Sequence, residues 1–295
     1  MIYFLENDQC RVAVQSYGAE LSSFIRRDLP EPGELEYLWP ADPTVWARHA
    51  PVLFPIVGRL ANDTYRHQGR EYQLPQHGFA RDREFALVRQ SATELAFELR
   101  ADDVSRAAYP FEFVLVISYR LRGLTLTGQW EVHNPAADDE LLFSIGAHPA
   151  FRCPLLAGEK FEDYSLHFDH PVTLERHLLH GGLLTGATER VLNQQNTLPL
   201  TYDLFAQDAL VLKHFDFTRI SLRSRHSGRA VHMRFDGFPY LGLWTKGPGA
   251  PFVCIEPWQG IAGSVDGPME LAEKEGILTL APGRQFSAAY SITIE

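Results

Sequence analysis

The chain lacks long apolar runs: no stretch of its 295 residues approaches the ~20 apolar residues of a membrane-spanning helix. No basic leader precedes an apolar stretch at the N-terminus, so we expect no secretory signal and a cytoplasmic protein. Basic clusters are also missing. With 27 Lys and Arg against 37 Asp and Glu, and a net charge of −10, the composition argues against a nucleic-acid partner. We therefore expect neither a membrane nor a nucleic acid as a partner.

Cysteines and cofactor motifs are scarce too. Cys10, Cys153 and Cys254 are far apart, odd in number and without a CxxC pair, which predicts reduced thiols rather than a disulfide framework or a structural zinc. Phosphate-cradling GxxxxGK[ST], dinucleotide-binding GxGxxG, nucleophile-elbow GxSxG and metal-binding HExxH motifs are all absent. His177 and His180 have the spacing of metal ligands only if that segment is helical, and no third ligand accompanies them. We expect no metal and no cofactor.

Short strand-like runs, by contrast, recur along the whole chain. About thirteen segments alternate apolar and polar residues or are rich in β-branched ones, and turn residues separate them. Arg122 and Gly123 separate two of them, FEFVLVISYRL and LTLTGQWEVHN, which predicts a tight hairpin. Helical signal is confined to a turn or two near 43–50 and 267–276. We therefore predict an all-β fold, a large antiparallel sandwich or barrel forming one domain over residues 1–295.

Four short stretches combine titratable residues with glycine or proline and aromatic neighbours. They are FPIVGRL (54–60), PQHGFARD (75–82), SIGAHPAFRCP (144–154) and CIEPWQGIAG (254–263). Each follows a predicted strand, where a rigid β scaffold commonly carries functional residues. Read singly they stay ambiguous. His148 has the pKa range of an acid/base catalyst but also suits a turn, and Glu256 could be buried for a function or for a salt bridge to an arginine.

Taken together and in order, seven phrases resemble the aldose 1-epimerase (galactose mutarotase) superfamily over nearly the whole chain. They are YGAELSSF, FPIVGRL, QHGFARDREF, the YPFEFVLVISYRL to WEVHN block, GAHPAF, DALVLK and CIEPWQGIAG. The resemblance implies a large antiparallel β-sandwich of the supersandwich, galactose mutarotase-like type with few short helices. This agrees with the strand count made from the residues alone.

The resemblance also implies a chemistry for two residues, His148 as general acid and Glu256 as general base. Interconverting α and β anomers requires removing the proton of the C1 hydroxyl while protonating the ring oxygen, so that the ring opens to an aldehyde. After rotation about C1–C2, the same two groups reclose the ring. The route needs no metal or cofactor. A nearby cation such as Arg59 would favour the charged form of Glu256.

Six further positions match substrate contacts of the family. They are Arg59, Gln76, His77, Arg81, Asp208 and Trp258. Gln76 and Arg81 match the branch that includes hexose-6-phosphate mutarotases, where Arg59 and Arg81 would clamp a phosphate. Trp258 would offer an apolar face to a pyranose, or simply fill the core. We expect an unphosphorylated aldohexose as substrate, with a sugar phosphate as the alternative.

Two other functions compete with this interpretation. A carbohydrate-binding protein without turnover would keep a sugar cleft but would not need both His148 and Glu256. A glycoside hydrolase or lyase on a similar sandwich would normally need two carboxylates flanking the scissile bond, and the motifs supply one. We therefore expect an isomerase that acts on a small sugar, as a monomer or homodimer.

Overall fold

The computed structural model describes residues 1–30 and 33–295, and strands dominate them. The strands are β1 Ile2–Glu6, β2 Cys10–Gln15, β3 Glu20–Arg26, β4 Leu35–Glu36, β5 Val52–Leu53, β6 Thr64–His67, β7 Arg70–Gln73, β8 Ala86–Gln90, β9 Glu94–Arg100, β10 Val114–Arg122, β11 Thr125–His133, β12 Leu141–Phe143, β13 Ile145–Ala147, β14 Ala150–Arg152, β15 Tyr164–His180, β16 Leu183–Pro199, β17 Leu210–Lys213, β18 Arg219–Ser224, β19 Ala230–Arg234, β20 Tyr240–Trp244, β21 Phe252–Gln259, β22 Leu278–Leu280 and β23 Gln285–Ile294. The helix α1 covers Asp103–Ala108, and 3₁₀ turns cover Ala61–Asp63, Ala80–Asp82, Phe161–Asp163, Tyr202–Phe205 and Leu271–Glu273.

Most strands join one large antiparallel sheet. Its order is β5-β13-β21-β20-β17-β15-β18-β19-β23-β11-β10-β9-β8, with β14 added on β21 and β16 on β15. A second sheet has the order β1-β2-β3-β4, and β12–β22 and β6–β7 form two-stranded pairs. The predicted all-β class and large antiparallel sandwich are confirmed. No helix within the described ranges is long and apolar enough to cross a membrane.

The alternation of apolar and polar residues explains interior strands of the large sheet such as β11. In β11 the side chains of Leu126, Trp130 and Val132 are buried, while the intervening residues are half-exposed. Trp130 packs against Phe238 and Tyr290, with ring centroids 5.8 and 5.5 Å apart. Burying an aliphatic or aromatic side chain of this size contributes ~1.5–3 kcal/mol, so the period of two fixes which face of the strand meets the core.

The turns and short helices agree with the sequence-based prediction only in part. The hairpin of β10 and β11 forms, but its turn residues are Gly123 and Leu124, because Arg122 pairs with Thr125 as the last rung. Near 43–50 one hydrogen-bonded turn forms, in which the Val45 and Trp46 N–H groups donate to the Asp42 carbonyl over 3.0 and 2.8 Å, and near 267–276 a 3₁₀ turn forms. The helix that does form, α1, begins with a capping box between Asp102 and Ser105 and is too short to show a 3.6-residue period.

Candidate active site

A carboxyl group on β21 meets an imidazole that comes from the break between β13 and β14. Both short strands pair with β21 in one antiparallel register, in which Gly146 lies opposite Trp258 and Ala150 opposite Cys254. The same register, continued across the break, sets His148 opposite Glu256. Their side chains touch, with His148 Nε2 3.1 Å from Glu256 Oε2. The contact therefore follows from strand pairing between two segments more than 100 residues apart in the chain.

Both members of this pair are almost fully buried. Glu256 is 1% exposed and His148 8%. Burial, reinforced by the negative charge of Asp208, raises the pKa of Glu256 well above its ordinary value. Burial also lowers the pKa of His148 to about 3. Because burial disfavours two separate charges, a neutral carboxyl beside a neutral imidazole is favoured over a carboxylate beside an imidazolium.

A second histidine is held in a defined orientation beside the pair. The Gly58 N–H donates to His77 Nδ1 over 3.1 Å, and the His77 N–H donates to the Gly58 carbonyl over 2.8 Å. His77 is buried, and burial with the adjacent His148 lowers its pKa well below the ordinary value. Because Nδ1 accepts, the neutral ring carries its proton on Nε2 and presents a donor.

Backbone strain accompanies two residues of the site. His77 and Asp208 have φ angles of +67° and +74°, in the left-handed region that side chains other than glycine rarely adopt. Each such residue costs ~1–3 kcal/mol and persists only where its surroundings hold it in place. Strain of this kind concentrates at functional sites, which directs attention to the cavity between these residues.

Aromatic rings enclose the His148 imidazole. Trp46 stacks on it with centroids 5.1 Å apart, and Trp244 meets it edge-on at 5.7 Å. The loop that carries Trp46 is fixed at two points. Glu20 accepts from the His49 N–H over 2.7 Å, and the Trp39 indole donates to the Trp46 carbonyl over 2.8 Å. The ring of Trp46 is therefore fixed in position, and together with Trp244 it keeps water from one side of the imidazole.

Trp258 covers the floor because two glycines make room for its ring. A Cβ on Gly146 would lie 2.6 Å from Trp258 Cδ1, and a Cβ on Gly242 would lie 2.3 Å from Cζ2. Gly242 pairs with Glu256 on the neighbouring strand β20. The indole therefore lies over the strands on both sides of β21, next to the carboxyl.

Together these groups line a cavity of about 360 Å³, within the range typical of small-molecule sites. Its lining comprises Trp46, Gln76, His77, Arg81, His148, Asp208, Ala209, Trp244, Lys246, Glu256 and Trp258. The floor is buried and holds the proton-sharing pair, whereas Gln76, Asp208 and Lys246 are exposed at the rim. The arrangement can donate and accept protons at neighbouring atoms of one bound molecule while polar rim groups bind its periphery.

A family model described as aldose 1-epimerase matches residues 1–293. The chain belongs to the aldose 1-epimerase family. The chain is 36% identical over 299 residues to the chromosomal protein LacX of Lactococcus lactis subsp. lactis, with 98% of each chain covered.

Solved structures agree with the family match. A galactose mutarotase related enzyme from Lactobacillus acidophilus is 35% identical with a TM-score of 0.93, covering 100% of this chain and 97% of that one. A galactose mutarotase-like protein from Lactobacillus casei is 30% identical with a TM-score of 0.92, and both chains are covered completely. These matches support a mutarotase-type function and an isomerase enzyme.

Seven of the eight residues expected from the family line the cavity, and Arg59 does not. Its Nε and Nη2 donate to the two carboxylate oxygens of Asp63 over 2.8 and 3.0 Å. The expectation that Arg59 keeps Glu256 charged is therefore wrong, and the carboxyl pKa moves in the opposite direction. Within residues 1–30 and 33–295 the salt-bridge partner of Glu256 is His148, so the alternative of a salt bridge to an arginine does not form there either.

Four lining residues were not predicted from the sequence, namely Trp46, Ala209, Trp244 and Lys246. Trp46 lies in the 43–50 stretch that suggested only a helical turn. A tryptophan in a stretch with no strand pattern is the one signal that could have indicated a functional loop here. Nothing in the strand pattern around Trp244 distinguishes it from core, because strand and core tryptophans share the same alternation.

One group within the described residues has the composition and spacing to hold a metal ion. One ligand atom each from His148, Cys254 and Glu256 lies within 4.8 Å of the others. His177 and His180, whose spacing suits a metal only on a helix, lie on the strand β15 and are not part of this group.

Proposed function

We propose that the protein is an aldose 1-epimerase that interconverts the α and β anomers of an aldohexose. The observation that carries the proposal is the 3.1 Å contact between His148 Nε2 and Glu256 Oε2 in the cavity floor. The two oxygens that exchange protons in mutarotation, O1 and O5, are both bonded to C1. Two groups this close together can therefore reach both oxygens of one anomeric centre at once.

In the proposed ring opening, Glu256 removes the O1 proton while His148 protonates O5. The C1–O5 bond breaks and the O1–H electrons form the C1=O1 carbonyl of the open-chain aldehyde. Rotation about C1–C2 then presents the other face of the carbonyl. In reclosure His148 takes back the proton from the C5 hydroxyl as its oxygen attacks C1, and Glu256 returns a proton to O1.

The proton count of the buried pair supports this cycle. Opening starts with the proton on His148 and ends with it on Glu256, so the pair needs one proton in total. The lowered pKa of His148 and the raised pKa of Glu256 favour that number with the proton resting on the carboxyl, so the proton passes to His148 before opening begins. Positioned acid/base groups typically accelerate a step by ~10²–10⁴-fold, which suffices for a reaction that already proceeds in water.

We propose binding roles for the surrounding residues. The His77 Nε2–H would donate to a sugar hydroxyl, while Asp208 and Gln76 would bind hydroxyls at the rim. Trp258 would offer its ring to the apolar face of the pyranose, since part of the indole lines the cavity although the residue is 6% exposed.

A substrate panel tests the proposal. Freshly dissolved α-D-glucose and α-D-galactose are followed by polarimetry with purified protein at several concentrations. We expect the rate of approach to anomeric equilibrium to rise in proportion to protein concentration. A rate that stays at the buffer value for every sugar, together with saturable sugar binding, would instead identify a carbohydrate-binding protein.

One observation favours a sugar phosphate as a second candidate substrate. Burial, and next the positive charge of Arg48, lower the pKa of Arg81 to about 10. The Nε of Arg81 is buried without a hydrogen bond among the described residues, and an Asp82 carboxylate oxygen is 3.6 Å away. A phosphate near Arg81 and Lys246 would satisfy this donor.

Comparing kcat/KM for glucose and glucose 6-phosphate in the wild type and in Arg81→Gln distinguishes the two substrates, because a phosphate contact makes only the phosphorylated sugar sensitive to the substitution.

A further inference from the structure

The thiol of Cys254 lies directly behind the carboxyl–imidazole pair. Cys254 precedes Glu256 by two residues on β21, so both side chains leave the strand on the same side. Cys254 is fully buried, and its register partner Ala150 is two residues past His148. Sulfur, imidazole nitrogen and carboxylate oxygen thus converge from two paired segments. The proposed mutarotation makes no use of the thiol.

The three donor atoms fit one class of metal ion. Thiolate, imidazole and carboxylate are the ligand types of Zn²⁺ sites, whereas Mg²⁺ and Ca²⁺ take oxygen ligands almost exclusively. Zinc bonds of ~2.0–2.3 Å at tetrahedral angles place ligand atoms about 3.3–3.8 Å apart. The donors of His148, Cys254 and Glu256 lie within 4.8 Å of one another, so the most distant pair needs to draw together by at most about 1.5 Å.

The cavity supplies access and a fourth coordination position. His148 and Glu256 line its floor, and its volume of about 360 Å³ admits a hydrated ion. Three protein ligands with one open position are the arrangement of zinc sites that retain an exchangeable water. The other two thiols, Cys10 and Cys153, are equally buried, but neither belongs to such a group in the described part of the chain.

We propose that His148, Cys254 and Glu256 form a site for Zn²⁺ or another thiophilic divalent cation, and that this cation inhibits the enzyme by competing with the sugar. A cation bound to the carboxylate and the imidazole occupies the two groups that must contact O1 and O5. The site is therefore an inhibitory one and supplies no chemistry to the reaction. The competition rests on the proposed function, whereas the binding of the cation does not.

Cadmium binding tests the site independently of catalysis. Titration of Cd²⁺ into the wild-type protein should produce a thiolate-to-cadmium charge-transfer absorbance that saturates at one equivalent and is reversed by Zn²⁺. Cys254→Ala and Cys254→Ser should both lose this band, while Cys10→Ser and Cys153→Ser keep it. Two variants of Cys254 are used so that a folding defect in one does not decide the result. A missing band in the wild type, or a band that persists in a folded Cys254 variant, would overturn the proposal.

Inhibition by Zn²⁺ tests the competition. Each protein is compared with its own metal-free mutarotation rate, and the sugar concentration is varied. We expect the apparent inhibition constant to rise with sugar concentration in the wild type. In the Cys254 variants it should weaken by at least the ~10–100-fold typical for loss of a residue that merely supports a metal ligand. Equal inhibition of the wild type and both Cys254 variants would overturn the proposal. A cadmium band in a protein without mutarotase activity would contradict the proposed function and leave the metal site standing.

Discussion

Two histidines of this chain each pack against an aromatic ring beside a concave surface, yet only one has the surroundings of a catalyst. His148 stacks on Trp46 in the cavity of about 360 Å³, and His67 lies 4.5 Å from the ring of Phe111 in a wider cleft of about 850 Å³. Burial lowers the pKa of both histidines. The difference lies in the carboxyl group that His148 touches.

The cleft around His67 is rich in carboxylates that stay apart from the ring. Its lining includes Glu112, Asp138, Asp139, Glu140 and Glu270. The charges of Glu270 and Asp139 raise the pKa of His67 without a hydrogen bond to it, and burial outweighs them. Neither the size of a concave surface nor its number of titratable residues therefore marks the site. A buried carboxyl in contact with an imidazole does, because the two can exchange a proton with a shared substrate.

The largest effect is expected from removing that contact. His148→Gln should lower kcat by ~10²–10⁴-fold, and the double variant with Glu256→Gln should fall little further, because the two residues act as one unit. Anomer exchange measured by NMR on both proteins gives the comparison. Losses that multiply in the double variant would show that the two side chains work independently.

A smaller effect should follow from adding one methyl group to the cavity floor. Gly242→Ala places a Cβ where Trp258 now lies, and overpacking of this kind costs ~1–3 kcal/mol in the free energy of unfolding. Urea unfolding followed by fluorescence measures it. Thr279→Ala, at an exposed position in the wall of the cleft, is the matched control and should leave the midpoint unchanged. Equal stability of both variants would contradict the packing described for Trp258.

Replacing the aromatic neighbour of each histidine compares the two surroundings in a third way. Trp46→Leu removes the ring stacked on His148, and such pairs contribute ~0.5–1.5 kcal/mol, which corresponds to a loss of at most about tenfold in kcat/KM. Phe111→Leu makes the equivalent change beside His67 and should leave kcat/KM unaltered. Similar losses in both variants would indicate a general effect on the fold.

The smallest effect is expected at the cleft histidine itself. His67→Gln should leave the mutarotation rate and KM at wild-type values, because no carboxyl group in the described part of the chain is hydrogen-bonded to this ring. Initial rates over a range of sugar concentrations provide the measurement. A clear loss of kcat would mean that the cleft takes part in the reaction.

Strands were easiest to predict from the sequence where the alternation of apolar and polar residues runs through the whole segment. The hairpin of β10 and β11 is predictable because alternation continues up to the turn at Gly123. Strand β16 is not, since most of its residues are exposed and polar, and it forms by pairing along β15 over 17 residues. Strands of two residues, such as β4 and β5, are too short to show any alternation.

The same contrast holds within the site. His148 and Glu256 were found because each sits in a recognisable phrase. Trp46 depends on how an irregular loop closes over the sheet, which no local pattern encodes. Arg59 shows the converse, since a matching phrase did not reveal that Asp63, four residues later, takes up its guanidinium.

The most direct test of the central claim is the polarimetric mutarotation rate of Glu256→Gln beside wild type and His67→Gln at equal protein concentration. Glutamine keeps the shape of the side chain and removes its capacity to accept the O1 proton. We predict that wild type and His67→Gln accelerate anomeric equilibration equally, whereas Glu256→Gln loses ~10²–10⁴-fold of the catalysed rate with its fold intact. A Glu256→Gln protein as fast as wild type would contradict the account.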